Sequence, residues 1–457
     1  MESASAIFET DWLASRPVFY HEKSGVAGYD IWQVIDFGSF SFHPEGLARY
    51  LEYGYAVFGQ TPIQHVRFLP PNSRCIREAS GKLRIEQLPD TLPQRLHCST
   101  RVDDVLGAMA ASVQGWEAAT QGPLLLPLSG GLDSRFLLWL LKDKARVRAF
   151  TYGGAPRQEQ SHEVVLAQAL AKQMGVHWQH IELGRFHRFI DEWIAQFGPS
   201  THAHGMYQME FYTEAGRELP AATPVLSGII GDAWAGSVEI HAIDNPSQLV
   251  QLGYSHGMHA DASHLHSSHK GELAESFFAS ERDHLRDPLY RVVAAMRFKM
   301  MLLRYLLEVP QAMGFRPWTP FLTIETALSM LNLPASLRTG RQWQRLLFEA
   351  EGLNIEKLPL SFSRANTLNA QALLLLPPPP LKVNLLREII DPAYVEWINR
   401  ILASKGWPFS LYHQALSTPR VKGVMAGLGC RNYRAEAYAA YLTLKPLEQL
   451  IEKRDRL

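Results

Sequence analysis

Cysteine is scarce in this chain, with 3 in 457 residues, and Cys75, Cys98 and Cys430 lie far apart. They form no CxxC pair, so neither a zinc ribbon nor a disulfide framework is available, and a reducing compartment is the simplest reading. Net charge is absent as well: Lys plus Arg is 45 and Asp plus Glu is 45. Without a basic excess the overall source of non-specific nucleic-acid affinity is missing, leaving only a local patch to supply it, so no nucleic-acid partner is expected. Long apolar runs are missing too. The richest stretch, 123–141, is interrupted by Gly130, Gly131, Asp133 and Arg135, whereas a membrane helix needs roughly 18 apolar residues. The opening residues MESASAIFETDWL lack a basic segment followed by an apolar one, so no secretory signal is expected. These absences together predict a soluble, cytoplasmic protein with no membrane partner.

What is present describes a folded chain. Apolar residues are 46% and charged residues 20%, the balance of a compact globular protein long enough for two domains or three. Residues 1–95 carry short β-like runs, at 16–20 and 25–29, and a hairpin pattern with Ser80-Gly81 between 74–76 and 83–85. Residues 44–54 predict a short helix with Leu47, Tyr50 and Leu51 on one face. Ser99-Thr100 are candidate caps for a helix to about Ala119, striped by Val102, Val105, Leu106, Met109 and Val113. Next come an apolar strand at 124–128, a helix at 136–141, a strand at 147–152 and a helix at 161–174. That alternation predicts an α/β fold with a doubly wound parallel sheet. A later strand is predicted at 226–230, mostly helical structure from about 285, and a loop or linker at the proline run 377–380.

The sharpest signal is Ser129-Gly130-Gly131-Leu132-Asp133-Ser134-Arg135, placed between a strand and a helix. Glycines permit a tight turn and close backbone approach to a ligand. Their N–H groups, with those of the first helical turn, form an anion-binding concavity. The Ser129 and Ser134 hydroxyls add donors. Asp133 would repel a bare phosphate, and makes sense as a Mg²⁺ ligand beside one. Neither GxxxxGK[ST] nor a GxGxxG after a strand is present, which argues against the usual nucleoside-triphosphatase loop and against dinucleotide binding.

This string resembles the pyrophosphate loop of the N-type ATP pyrophosphatases, and within them the chain resembles the asparagine synthetase group. The resemblance implies an adenine nucleotide alpha hydrolase-like sheet with a helical C-terminal part over residues 96–457. It also implies a truncated glutaminase-like α+β domain over residues 1–95, carried by 16–20, 44–55 and 66–71. Leu226-Ser227-Gly228-Ile229-Ile230-Gly231-Asp232 resembles the family's second magnesium motif, and 315–322 and 340–350 resemble its C-terminal segments. The family activates a carboxylate with ATP, releases pyrophosphate, and lets ammonia or an amine displace AMP from the acyl-adenylate. Carried over, Asp133 and Asp232 hold Mg²⁺. Ser129, Gly130, Gly131, Leu132, Ser134 and Gly228 contact the nucleotide, and the strand ending in Thr151, Tyr152 and Gly153 lines the adenine.

Three departures from the family pattern shape the expectation. Residue 2 is Glu2 rather than the cysteine nucleophile of the glutaminases, so no glutaminase activity is expected in this chain. Ammonia then comes from solution or a separate supplying protein, or the nucleophile is an amine on a substrate delivered to the site. Ile229 and Ala233 stand where the family carries glutamates, which weakens the case for asparagine as product. Gln344 aligns with the family's catalytic lysine, leaving Arg341 or Arg345 to substitute for it, since guanidinium is an effective phosphate partner. The acid is accordingly a small molecule or a peptide carboxylate. The rivals are a specialised amide synthetase for a peptide, small amino acid or sugar acid, and a nucleotide-binding regulator without catalysis. Weaker features are the histidines 256, 259, 264, 266 and 269, whose spacing matches no zinc signature, and His202 and His204, which precede the second magnesium motif. Trp318 and Trp343 read as core or cleft-wall aromatics.

Overall fold

The computed structural model describes residues 6–253, 257–404 and 431–457. Glu2, His256 and Cys430 lie outside them. Residues 6–95 build two small antiparallel sheets and three α-helices, of which one is longer than a single turn. Strands β1 (Ala6–Glu9), β5 (Ser73–Arg77) and β6 (Leu83–Gln87) form one in the order β1-β5-β6. Strands β2 (Phe19–His21), β3 (Ala27–Gly28) and β4 (Val66–Phe68) form the other in the order β3-β2-β4. The hairpin pairs Cys75 with Ile85. The intervening helix, Pro44–Tyr53, begins with proline in its first turn, its N-terminus capped by the His43 ring accepting from the Gly46 N–H, and ends on Gly54 in the left-handed conformation. Its face of Leu47, Tyr50 and Leu51 is buried.

The helix Val102–Ala118 is present, but Ser99-Thr100 do not cap it. Arg101 is the cap residue, and its backbone N–H donates to Asp104 Oδ2 at 2.9 Å. Beyond it the chain enters a five-stranded sheet in which every neighbour is parallel. β7 (Leu124–Pro127), β8 (Val147–Thr151) and β9 (His177–His180) run to one side, β10 (Pro224–Leu226) and β11 (Arg316–Trp318) to the other, in the order β11-β10-β7-β8-β9. The helices Leu132–Leu140 and His162–Met174 are the first two crossovers. The strand order reverses between β7 and β10. In such a sheet the crevice past the strand ends at the reversal is where ligands bind.

Two features of this sheet differ from the sequence reading. The strand predicted at 226–230 ends at Leu226, and Ser227 to Gly231 form a loop in which Ile230 takes a φ of 53°. The Ile229-Ile230 pair reads as strand because both are apolar, yet both are buried in a turn. The edge strands β9 and β11 went unforeseen because His-Trp-Gln-His and Arg-Pro-Trp lack the apolar run that doubly covered central strands require. An edge also tolerates Pro317. The C-terminal part is helical as expected, ending in a 23-residue helix, Tyr433–Asp455.

The main apolar core runs from Trp12 to Ile451 and takes in residues of β2 and β4 as well as the parallel sheet, whereas the β1-β5-β6 sheet packs a smaller core of its own around Val18, Leu69 and Cys75. Trp12 lies 5.7 Å from Trp234, just after Asp232, and its indole donates to the Leu322 carbonyl at 2.8 Å. Arg297 reaches back to donate to the Trp12 carbonyl at 2.8 Å and to Asp90 at 2.6 Å. Tyr50 donates to the Thr443 carbonyl at 3.1 Å. Truncating Trp12 to Ala opens a cavity behind the loop that carries Asp232. It is expected to lower unfolding stability by about 3–5 kcal/mol, measured by chemical denaturation.

Candidate active site

The loop after β7 folds back on itself through its own hydroxyls. The Ser129 N–H donates to Ser134 Oγ at 3.3 Å, the two hydroxyl oxygens are 3.2 Å apart, and the Gly131 N–H donates to Ser129 Oγ at 3.3 Å. Gly130 has a φ of 70°, and a Cβ there would lie 2.6 Å from Leu166 Cβ, so glycine is required. The helix starts at Leu132, earlier than the predicted 136, so Leu132, Asp133 and Ser134 are its first turn. The first turn of any helix leaves N–H groups without helical partners, an arrangement suited to an anion.

Asp133 lies across from the loop that follows β10. A Cβ on Gly228 would sit 3.7 Å from Asp133 Cβ. Burial pushes the Asp133 carboxyl up to about 7, with Arg341 opposing the rise and the charge of Asp232 adding to it. The Arg341 guanidinium donates to Asp133 Oδ1 and, through Nε, to Gln344 Oε1 at 2.8 Å. Gln344 is fully buried beside Asp133, and its side chain opposes the rise of that carboxyl. Asp232 is exposed, and its Oδ2 accepts from Ser237 at 2.9 Å. Lys299, on the helix Pro288–Leu303, is pulled below its ordinary pKa by burial, and the charge of Asp232 opposes that shift. Two mutually repelling carboxylates at the mouth of a donor-rich loop are a donor set that suits a hard divalent cation.

Beside the loop opens a cavity of 340 Å³. Leu128, Ser129, Phe150, Thr151, Tyr152 and Gly154 form its sheet side, with His204, Tyr207, Gln208 and Phe211 opposite, and Glu163, Arg364, Asn366 and Asn369 at its polar margin. The Thr151 hydroxyl is spent on the sheet, donating to the Leu128 carbonyl at 2.5 Å and accepting from the Trp178 indole at 2.9 Å. Gly153 faces away from the cavity, and a Cβ there would lie 2.3 Å from the Gln158 carbonyl oxygen and from Ser161 Oγ. The carriers of polar chemistry at 163, 208 and 364–369 have no local motif, and sequence reasoning did not find them.

The model for the family described as Asparagine synthase matches residues 108–345, more than half of the chain. The chain belongs to the asparagine synthase family. No curated protein matches it. Among solved structures, an NH3-dependent NAD synthetase from Campylobacter jejuni is 16% identical with a TM-score of 0.25, covering 46% of this chain and 96% of that one. Family membership carries ATP-dependent, amide-forming ligation as the general activity.

Within that family frame, the placement of the two arginines is decisive. Arg341 and Arg345 are four apart, the spacing of one helix face. The helix, however, is Gln342–Ala350, and Arg341 precedes it in the left-handed conformation with a φ of 61°. Arg341 therefore turns to Asp133, while Arg345 points to a separate cavity of 220 Å³ with Arg135, Glu349 and Glu356. Leu132 lines that second cavity as well. Ile229, where the family carries glutamate, is buried. His204 lines the main cavity, but His202 is packed against Gly54 on the other side. His264 stacks on Tyr394 at 4.1 Å, and His266 pairs with the Arg387 carbonyl at 3.1 Å. Among the described residues no group of three His, Cys, Asp or Glu is placed to hold a metal ion. Trp343 is core, donating to the Ala235 carbonyl at 3.2 Å, and Trp318 stacks on Trp116 at 5.1 Å. No helix among the described residues is long and apolar enough to cross a membrane.

The raised Asp133 carboxyl makes a pH prediction. The folded chain keeps that proton up to about pH 7, whereas the unfolded chain releases it near 3.9. Stability without Mg²⁺ therefore falls as pH rises between those two values. Asp133→Asn is expected to flatten that part of the profile, read as the difference in melting temperature between pH 5 and pH 8.

Proposed function

We propose that this chain adenylates a substrate carboxylate with Mg·ATP and passes the acyl group to ammonia or an amine. The observation that carries this reading is the glycine loop after β7, opening between Asp133 and Asp232 beside a cavity of nucleoside size. The base and ribose would occupy that cavity, with the phosphates over the N–H groups of residues 131–134. Asp133 and Asp232 would hold the Mg²⁺, which supplies charge neutralisation for the departing pyrophosphate. The substrate carboxylate attacks the α-phosphorus, the bond to the pyrophosphate oxygen breaks, and the amine then displaces AMP. Such transfers depend chiefly on positioning and electrostatics. In this reading Arg341 is the residue that meets the developing phosphate charge in place of the family lysine. Gln344 holds its Nε and so sets the direction of the fork.

The amine source is proposed to be outside this chain. In residues 6–95 the one cysteine, Cys75, is buried in a strand with its thiol pushed up by burial, so that region offers no thiolate for glutamine hydrolysis. Residues 1–95 are proposed to act as a structural domain that backs the site. Ile229 favours a specialised amide synthetase over asparagine formation, because a buried isoleucine cannot accept a hydrogen bond from an ammonium or amine. Such an enzyme would act on a peptide, small amino acid or sugar acid.

Pyrophosphate release measured across a panel of acids, with free ammonia or amines added, tests the proposal. Arg341→Ala is expected to lower kcat about 10²–10³-fold, and Asp133→Ala to abolish release, while Arg345→Ala stays close to wild type. Release unaffected by the Asp133 change would remove that residue from the mechanism. Turnover of aspartate with ammonia would restore asparagine as product. ATP binding without pyrophosphate release on any acid would favour a nucleotide-binding regulator.

A further inference from the structure

We infer that Arg135 is a positioning residue of the pyrophosphate loop, acting with Glu356 to hold the loop and the Arg341 helix in register; the inference rests on the reading of that loop given above. Arg135 follows the loop motif directly and is 1% exposed. Its Nη2 donates to the Gly130 carbonyl at 2.8 Å. Its fork is bidentate on Glu356, with Nη1 to Oε2 at 3.0 Å and Nη2 to Oε1 at 2.6 Å, and Nη1 also donates to the Leu353 carbonyl at 3.0 Å. The guanidinium sits 5.0 Å over the Phe348 ring. One side chain thus joins the loop to the helix Gln342–Ala350 and the turn that follows it.

The consequence for the loop follows from peptide geometry. A trans peptide is planar, so its C=O and N–H point in opposite directions. Pulling the Gly130 oxygen inward onto Arg135 turns the Gly131 N–H outward, where it makes only the 3.3 Å contact with Ser129 Oγ. That is the orientation an incoming pyrophosphate oxygen requires. Through Phe348 and Leu353 the same guanidinium sets the height of the helix that follows Arg341. Burying an arginine carries a desolvation cost, and a well-packed apolar residue would often serve stability as well. An arginine is needed where one rigid fork must serve several acceptors at once, which a lysine point charge does poorly. Burial raises the Glu356 carboxyl, but the hydrogen bonds and charge of Arg135 outweigh it and leave the carboxyl below its ordinary value. The pair is therefore ionised.

Glu356 is 40% exposed at its side chain, so Glu356→Gln releases the fork without emptying the core. Arg135→Lys keeps the charge but loses the fork. The test is calorimetric titration of each full-length variant with Mg·pyrophosphate and, separately, with AMP, alongside melting temperature and the ATP KM. Both variants are expected to bind Mg·pyrophosphate about tenfold more weakly, with AMP affinity unchanged, and Glu356→Gln is expected to melt like wild type. The double variant should be no worse than Arg135→Lys alone, because the two residues act as one unit. Pyrophosphate affinity within twofold of wild type in Glu356→Gln, or equal weakening of pyrophosphate and AMP, would overturn the positioning role. A wild-type chain that binds neither Mg·pyrophosphate nor Mg·ATP would instead overturn the reading of the loop, and this inference with it.

Discussion

A buried carboxylate with a second, exposed one near it is repelled by that charge, and the arrangement of this protein's site answers that repulsion. Asp133 leaves the first turn after β7, and Asp232 leaves the loop after β10. These strands are neighbours at the reversal of strand order, so the fold itself brings the two acids together. Burial and the second charge raise the Asp133 carboxyl to about 7, and Arg341 is the cation that meets it. A site of this kind is poised to take up positive charge. The N–H groups beside it are poised for the negative charge that would accompany a divalent cation.

The guanidinium that meets Asp133 stands three residues before Gln344, on the long planar side chain of Arg341, and Gln344 Oε1 accepts from its Nε. A left-handed backbone at Arg341 costs conformational strain of the sort that persists where surrounding packing enforces it. The contacts that Arg341 itself makes there are with Asp133 and Gln344. Residues 6–95 contribute from behind, since Trp12 packs against Trp234 directly after the Asp232 loop.

Much of this was legible in the order of the residues. The glycine turn, its flanking strand and helix, and Asp133 follow from patterns shorter than ten residues, whose physics is local: glycine freedom, helix-terminus N–H groups, apolar central strands; Asp232 was singled out only by the family resemblance. The edge strands β9 and β11 were not legible, because an edge needs neither apolar faces nor every hydrogen bond. The strand expected through Ile230 was misplaced because burial in a turn and burial in a sheet demand the same apolar residues. The cavity margin at Arg364, Asn366 and Asn369 and the Arg135–Glu356 pair were invisible for a different reason. The two members of that pair are 221 positions apart, and nothing in either neighbourhood names the other.

The loop string and the strand–helix alternation by themselves determined the frame: a glycine turn with an acidic residue in the first turn of the helix that follows, on a parallel sheet. Which arginine serves that acid was decided only in three dimensions. On a continuous helix Arg341 and Arg345 would share a face, four residues apart. Because the helix begins after Arg341, the backbone turns between them and their guanidinium groups diverge, one to Asp133 and one toward Glu356.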